Sequence, residues 1–247
     1  MPEYRLKREE KMSEIISVNN LSKSYGSHQV LKDLSFSFEG GQIIGLLGPN
    51  GSGKTSLLKI LTGLIHDYSG EVLIDGDAPG VVTKAKVAYL PDKTYLADWM
   101  RCVDAINFMA DFYKDFNKEK AFRMLDVFQL PPKQKIKTMS KGMQEKLQLL
   151  LVMCRNAKLY VLDEPLGGVD PAARAFILDT IMKNHPEGST ILISTHLIYD
   201  VEKIFNSVLM IGRGQVLVKA KVDDITASGR TIEDLFKEVF ANAWQFN

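Results

Sequence analysis

Hydrophobic and polar residues follow two patterns along the chain, and each pattern predicts a different kind of β-strand. Short uninterrupted apolar runs are typical of parallel strands that are buried on both faces. Such runs occur at 43–47, 87–90, 159–162, 191–193 and 208–211. Helical patterns separate these runs, so the sequence predicts an α/β fold with a mostly parallel core sheet.

Three other segments predict an antiparallel β subdomain. Residues 34–38 read Leu-Ser-Phe-Ser-Phe, and this alternation is typical of a half-buried strand. Residues 71–76 end in Asp-Gly, which is a strong turn signal. A third apolar segment lies at 15–18.

The stretch from residue 97 to residue 155 has no strand pattern. Ile106, Met109 and Tyr113 recur at helical spacing, which predicts a helical insertion between two core strands. The predicted segments are a polar leader (1–13), a core (14–96 and 156–228), a helical subdomain (97–155) and a C-terminal helix (229–247).

Composition restricts the class of protein. The 247 residues are 45% hydrophobic and 25% charged, with 31 Lys and Arg against 30 Asp and Glu. Mean hydropathy is −0.06. These values are typical of a globular protein. A net charge of +1 lacks the basic excess of a nucleic-acid-binding protein, so we expect no nucleic-acid partner.

Hydropathy and cysteine content predict a cytoplasmic location. The longest apolar run, 149–154, is far shorter than the roughly 20 residues of a membrane-spanning helix. The first residues are charged and do not resemble a signal peptide. Two cysteines, Cys102 and Cys154, are too few for a disulfide framework, so a reducing compartment is expected.

Residues Gly48–Thr55 match G-x-x-x-x-G-K-[ST], the pattern of a phosphate-binding loop. A predicted strand precedes the motif and a helical run follows it, as the motif requires. Glycine lets backbone N–H groups surround phosphate oxygens, Lys54 can reach the β- and γ-phosphates, and the Thr55 hydroxyl can bind Mg²⁺. The nucleotide-binding residues predicted here are Gly48, Pro49, Asn50, Gly51, Ser52, Gly53, Lys54, Thr55 and Ser56.

The apolar run 159–162 ends in two acids, Asp163 and Glu164. Burial of both carboxylates without a cation would be costly. Beside a phosphate loop, Asp163 is predicted to bind Mg²⁺ together with Thr55, and Glu164 to polarise the water that attacks the γ-phosphate. The alternative is a strand that ends in a solvated turn.

Four further features occur in a fixed order around the loop. Tyr25 lies upstream, residues 139–144 read Met-Ser-Lys-Gly-Met-Gln, residues 168–171 read Gly-Val-Asp-Pro, and residues 194–196 read Ser-Thr-His. Together with the phosphate loop and the two acids, they resemble the nucleotide-binding subunit of ABC (ATP-binding cassette) transporters over nearly the whole chain. The resemblance implies a P-loop NTPase fold.

The resemblance also implies a role for each feature. Tyr25 would stack on adenine, and Ser140 and Gly142 would cap the γ-phosphate held by a second cassette. Asp170 would belong to the family's D-loop and contribute to nucleotide binding, and His196 would sense the γ-phosphate. The implied catalytic residues are Lys54, Glu164 and His196.

Each of these residues has a structural alternative. Tyr25 could be a packing aromatic, and Ser140 could cap the helix that follows it. Asp170 followed by proline is an ordinary helix start. His196 could be a structural histidine.

The chain departs from the family pattern in two places. Lys141 and Met143 replace a Gly and the Gln of the signature Leu-Ser-Gly-Gly-Gln. Asp92 stands where the family usually has Gln; it could contact Mg²⁺ or the attacking water, or be a solvated turn acid. An acid at this position, the Ser-Lys-Gly-Met signature and the ending from Thr231 to Phe236 resemble the exporter branch.

The resemblance implies an ATPase, with ATP and Mg²⁺, that powers a membrane transporter. Its partners would be a second cassette, as a homodimer or heterodimer, and an integral membrane permease on whose cytoplasmic side the chain would bind. Trp99, Met100 and Phe108 are candidates for the permease-docking surface, or packing residues of the insertion. A soluble ATPase that acts on ribosomes or nucleic acid, and a weak nucleotide sensor, are the alternative functions.

Overall fold

The computed structural model describes residues 14–167 and 170–241, so the predicted leader 1–13 lies outside the described residues. The strands are β1 (Glu14–Tyr25), β2 (His28–Glu39), β3 (Ile43–Leu47), β4 (Ser69–Ile74), β5 (Val87–Leu90), β6 (Leu159–Asp163), β7 (Thr190–Thr195), β8 (Ser207–Gly212) and β9 (Gln215–Lys221). The helices are α1 (Lys54–Leu61), α2 (Val81–Lys84), α3 (Cys102–Phe112), α4 (Lys118–Val127), α5 (Lys141–Met153), α6 (Pro171–Asn184), α7 (Ile198–Val201), α8 (Val222–Ala227) and α9 (Ile232–Ala241), with 3₁₀ turns at Ile136–Thr138 and Glu202–Ile204.

The antiparallel β subdomain is built around β1, which lies between β2 and β4. Val18 of β1 pairs with Phe36 of β2 on one side and with Val72 of β4 on the other. All three side chains are buried, because alternate residues of each strand face the core. The predicted antiparallel region is therefore confirmed.

The core sheet has the strand order β5-β6-β7-β3-β8-β9 in the part of the chain that the structure describes. Neighbours from β5 to β8 are parallel, as the uninterrupted apolar runs predict. The edge strand β9 runs antiparallel to β8 and was not predicted, because it buries few of its side chains. Asp163 pairs with Ser194, and Leu47 with Thr195, so the carboxyl ends of β3, β6 and β7 meet at one edge.

Side chains from the core sheet enter two hydrophobic clusters. Along β6, Tyr160 and Leu162 belong to one cluster and Val161 to the other, because successive strand residues point to opposite faces. The first cluster also contains Leu150 of α5, and the second contains Leu57 of α1. The helical insertion and the phosphate-loop helix thus pack against opposite faces of the sheet.

Helices α3, α4 and α5 occupy the predicted helical insertion, and Arg155 joins it to the core sheet. The buried guanidinium donates from Nε to the Asp115 carboxylate at 2.7 Å and stacks 3.7 Å from the centre of the Tyr113 ring. It also donates to the carbonyl oxygen of Ala85 at 3.1 Å, next to β5. One side chain therefore contacts both units, although the exact segment boundaries stay a prediction.

The structure corrects one docking residue. Met100 is only 8% exposed and belongs to the hydrophobic core, so its assignment to a surface is wrong. Trp99 and Phe108 are exposed, as a docking surface requires. The Met100 carbonyl oxygen accepts a hydrogen bond from the N–H of Ile136, so this segment lies against the 3₁₀ turn at Ile136–Thr138, and its side chain packs in the hydrophobic core.

No helix within residues 14–167 and 170–241 has the length and hydrophobicity needed to cross a membrane. Both cysteines are buried free thiols. The predicted C-terminal helix appears as α9, and its extension beyond residue 241 lies outside the described residues.

Candidate functional site

The predicted phosphate loop connects β3 to α1. Gly53 has a φ of +105°, in the left-handed region that favours glycine. A Cβ at this position would lie 2.6 Å from Cδ2 of Leu31 and 3.2 Å from the carbonyl oxygen of Val30, so a side chain would also crowd these neighbours. Because α1 begins at Lys54, the free N–H groups of its first turn lie at the loop and favour an anion.

Lys54 is buried within the loop. Its ammonium group donates hydrogen bonds to the carbonyl oxygens of Gly48 at 2.7 Å and Pro49 at 3.3 Å. It also lies 3.8 Å from Oε1 of Glu164. Burial lowers the pKa of Lys54, while the charges of Glu164 and Asp163 act in the opposite direction. The loop backbone and the acids therefore fix the position of this cation.

Asp163 is 1% exposed at the carboxyl end of β6. Its Oδ1 accepts a 2.6 Å hydrogen bond from the Ser194 hydroxyl and lies 3.5 Å from Oγ1 of Thr55. Its Oδ2 is buried and has no hydrogen-bond partner among the described residues. A buried carboxylate oxygen without a partner, next to a hydroxyl group, is a donor set that suits Mg²⁺.

Glu164 follows in the left-handed backbone region, with a φ of +49°. Its N–H contacts both the carbonyl oxygen of Ser194 at 3.1 Å and the Ser194 hydroxyl at 3.0 Å, which stabilises this uncommon conformation. Its Oε2 lies 2.9 Å from Nδ1 of His196. Lys54, Glu164 and His196 are thus connected in one series of contacts.

These groups line a cavity of about 620 Å³, which is within the size range of small-molecule sites. The structure brings most of the predicted site residues to this one cavity. The predicted residues that line it are Asn50, Gly51, Ser52, Gly53, Lys54, Thr55, Ser56, Asp92, Glu164 and His196. Their individual contacts with a nucleotide stay predictions.

Tyr25, Gly48 and Pro49 lie next to this cavity without lining it. The Tyr25 side chain is half-exposed, and its hydroxyl lies 3.5 Å from Oγ of Ser56, which does line the cavity. Gly48 and Pro49 contribute the carbonyl oxygens that bind Lys54.

Three predicted residues, Ser140, Gly142 and Asp170, lie outside the cavity. Oγ of Ser140 caps α5, because it accepts a hydrogen bond at 3.3 Å from a backbone N–H in the first turn. Oδ1 of Asp170 caps α6 in the same way at 3.1 Å. Both helix-cap alternatives are therefore observed, and the contacts with a second cassette stay predictions. Gly168 and Val169 lie outside the described residues.

Sequence reasoning missed five residues of the site. Ser194 was noted in the Ser-Thr-His motif but was given no role, although its hydroxyl contacts both Asp163 and Glu164. His28, Val30, Lys141 and Gly167 line the cavity. Only the position of Ser194 at the carboxyl end of a predicted strand was a signal in the sequence.

A second cavity of about 530 Å³ lies between the insertion and the core. Its wall is mainly apolar or aromatic and includes Tyr95, Phe108 and Met109. Lys84 and Lys93 line it as well. Phe108, a predicted docking residue, is therefore part of an open groove.

The β3–loop–α1 unit and the acids at the end of β6 define the class of P-loop nucleotide-binding proteins. The sequence pattern of the ABC transporter family matches residues 31–167, which is more than half of the chain. The chain therefore belongs to the ABC transporter family, as an ATP-binding subunit, and the predicted resemblance is confirmed.

Two relatives and one solved structure agree with this assignment. An uncharacterised ABC transporter ATP-binding protein of Methanocaldococcus jannaschii is 34% identical over 89% of this chain and 82% of its own length. The SkfA peptide export ATP-binding protein SkfE of Bacillus subtilis is 33% identical over 83% of this chain and 88% of its own. A solved ATP-binding subunit of an ABC transporter, 27% identical, superposes with a TM-score of 0.81 over 91% of this chain and 99% of that one. The predicted P-loop NTPase fold is thus confirmed.

Proposed function

We propose that the chain hydrolyses ATP to ADP and phosphate and thereby powers a membrane transporter. The observation that carries this proposal is the position of the Glu164 carboxylate in the phosphate-loop cavity. Its Oε2 lies 2.9 Å from Nδ1 of His196, and its Oε1 lies 3.8 Å from Nζ of Lys54. A carboxylate at this position can orient and deprotonate the water that attacks the γ-phosphate. His196 orients the carboxylate, and Lys54 binds the phosphate oxygens.

Asp163 and Thr55 are the proposed Mg²⁺ ligands. The buried Oδ2 of Asp163 has no partner among the described residues, and the Thr55 hydroxyl lies 3.5 Å from Oδ1. The described ranges contain no cluster of three His, Cys, Asp or Glu residues that could hold a metal ion by itself. A Mg²⁺ site does not need one, because the ion takes only one or two carboxylates and completes its shell with phosphate and water oxygens. The ion would neutralise charge on the phosphates, and Asp92 is proposed as a further oxygen near them.

Tyr25 is proposed to stack on the adenine ring. Its ring is half-exposed beside the first turn of α1, and the Lys23 ammonium lies 4.8 Å from the ring centre. An exposed aromatic face next to a phosphate site can stack on a base.

Hydrolysis is tested with purified protein and a phosphate-release assay. Lys54→Ala should reduce the turnover of Mg·ATP by at least about 100-fold, because it removes the cation of the loop. Glu164→Gln should have a similar effect on turnover but retain ATP binding. Glu187→Gln removes an exposed carboxylate outside the cavity and is the matched control. Near-normal turnover of Lys54→Ala would contradict the proposed active site.

Pairing with a second cassette is proposed from the surface position of the signature turn. Ser140 is exposed and Gly142 is half-buried, with space around its Cα, so the turn is open to a partner. The N-terminus of α5 favours an anion such as a γ-phosphate. Glu164→Gln with Mg·ATP should therefore give a dimer in light scattering. A strictly monomeric variant would indicate that the partner is a different cassette.

The groove between the insertion and the core is the proposed permease-docking surface. Phe108 and Tyr95 are exposed side chains in its wall, and Trp99 is exposed nearby in the chain. Exposed aromatic residues in a groove are typical of interaction sites. This contact would place the chain at the cytoplasmic face of the membrane.

Export is proposed as the direction of transport. It rests on the similarity to SkfE, whose name describes peptide export, and on the exporter-like features of this sequence. A pull-down from detergent-solubilised native membranes tests the partner, and ATP-dependent transport in sealed vesicles of known orientation tests the direction. Recovery of a multi-helix membrane protein supports the transporter function. Recovery of ribosomal or soluble proteins alone would favour the soluble ATPase.

A further inference from the structure

Lys23 of β1 is a charged side chain in a buried position, with an exposed fraction of only 6%. A lysine is rarely buried unless its ammonium has a partner. The Lys23 ammonium lies 3.0 Å from Oδ2 of Asp67, in the segment between α1 and β4. Because the stem of the side chain is enclosed and its charged end is paired, the ammonium is held at one place.

The same ammonium lies over the ring of Tyr25. Its Nζ is 4.8 Å from the ring centre, which is within the range of a cation–π contact. At the other end of the side chain, the Tyr25 hydroxyl lies 3.5 Å from Oγ of Ser56. The ring is nevertheless half-exposed. Since Lys23 covers one face of the ring, a planar ligand would stack on the opposite face.

The Tyr25 ring lies at the rim of the phosphate-loop cavity. Tyr25 pairs with His28 of β2, and both His28 and Ser56 line the cavity. Lys23 does not line it. The Lys23 ammonium therefore contacts the ring from outside the cavity, and its effect on a ligand would pass through Tyr25.

We propose that Lys23 is a positioning residue for the nucleobase, because its cation–π contact holds the Tyr25 ring in place for stacking on a purine. The proposal rests on the proposed function, in which Tyr25 binds the base. A ring that is already held in one orientation loses less conformational entropy when a base stacks on it. Lys23 thus increases the affinity for the nucleotide without contacting it.

Binding of a non-hydrolysable ATP analogue and of inorganic tripolyphosphate, both with Mg²⁺, tests this role by titration calorimetry. Tripolyphosphate carries the phosphates without the base. The variants are Lys23→Met, which removes the charge and keeps an unbranched stem, Lys23→Arg, Tyr25→Leu, and the double variant with Lys23→Met and Tyr25→Leu. Lys219→Met is the matched control, because the Lys219 ammonium lies 5.0 Å from the centre of the Phe38 ring and neither residue lines the cavity.

Lys23→Met should weaken binding of the ATP analogue about twofold to fivefold, the range of a cation–π contact at a partly exposed site, and leave tripolyphosphate binding unchanged. Lys23→Arg and Lys219→Met should bind the analogue like the wild type. The double variant should bind no more weakly than Tyr25→Leu, because the ring through which Lys23 acts is absent. Damage to the fold would instead weaken both ligands and would persist without the ring.

Two results would overturn the proposal. One is a Lys23→Met affinity for the ATP analogue equal to that of Lys219→Met. The other is the same loss from Lys23→Met with and without the Tyr25 ring. If Tyr25→Leu binds the analogue as tightly as the wild type, the assignment of Tyr25 to the base fails as well. If Tyr25→Leu weakens binding and Lys23→Met does not, only the role of Lys23 is rejected.

Discussion

Ser194→Ala is the substitution that tests the geometry of the acid pair most directly. The Ser194 side chain is fully buried, and its hydroxyl donates to Oδ1 of Asp163 at 2.6 Å. Replacement by alanine removes only this oxygen and leaves no large cavity. The N–H of Glu164 would keep its contact with the carbonyl oxygen of Ser194 at 3.1 Å. The main loss is therefore one hydrogen bond to a buried carboxylate.

The expected effect can be stated as a free energy of unfolding. A hydrogen bond to a charged group contributes about 1.5–3 kcal/mol. After the change, Oδ1 of Asp163 would keep only the 3.5 Å contact with Thr55, and Oδ2 has no partner in the described part of the chain. We therefore expect a loss of about 2 kcal/mol, which lowers the ratio of folded to unfolded protein about 30-fold.

Urea denaturation followed by circular dichroism, in buffer without Mg²⁺ or nucleotide, measures this loss. Ser189→Ala is the matched control, because the buried Ser189 hydroxyl donates to the neutral carbonyl oxygen of Pro186 at 2.6 Å. The control should lose about 1 kcal/mol. A Ser194→Ala variant that loses no more than the control would refute the reasoning that the Asp163 carboxylate depends on this hydroxyl.

Three further predictions concern the rest of the fold. Arg155→Met should lower the free energy of unfolding by about 3 kcal/mol in the same assay, because it removes the buried cation that pairs with the Asp115 carboxylate and leaves that carboxylate only the N–H of Asn156 as a donor. Burial tends to raise the pKa of Asp75, but hydrogen bonds from two lysines outweigh it and lower the pKa. The ionised carboxylate therefore stabilises the fold above about pH 4, and this contribution is lost as the pH falls. Asp75→Asn should accordingly lose less stability than the wild type between about pH 5 and pH 3. Burial raises the pKa of Cys102 to about 11 and of Cys154 to about 12, so a thiol reagent at about pH 8 should react with both only after denaturation.

Local pattern was sufficient to predict most strands of the fold. The run at 159–162 is apolar throughout because β6 is buried between β5 and β7 and between two hydrophobic clusters. The phosphate loop could be found because its chemistry depends on residues that are adjacent in sequence. Edge strand β9 has only one neighbouring strand and buries few side chains, so its pattern is weaker.

Contacts between distant residues could not be predicted in this way. The Ser194 hydroxyl reaches Asp163 because β6 and β7 are in register, which no local pattern encodes. Lys141 lines the cavity because α5 packs against β5, and no pattern in the sequence predicts this packing. Met100 is apolar in a surface-like segment, and only the tertiary packing shows that it is buried.

Helix α5 could rotate about its end near Arg155 if the contacts of this side chain were lost. The helix has 13 residues and is about 20 Å long, and Arg155 follows shortly after its last residue. A rotation of about 10° at this end would move Ser140 at the other end by about 3.5 Å, more than the whole working range of a hydrogen bond. Loss of the guanidinium should therefore disturb a partner's contacts at a distance: Arg155→Met combined with Glu164→Gln should bind ATP normally and yet fail to pair.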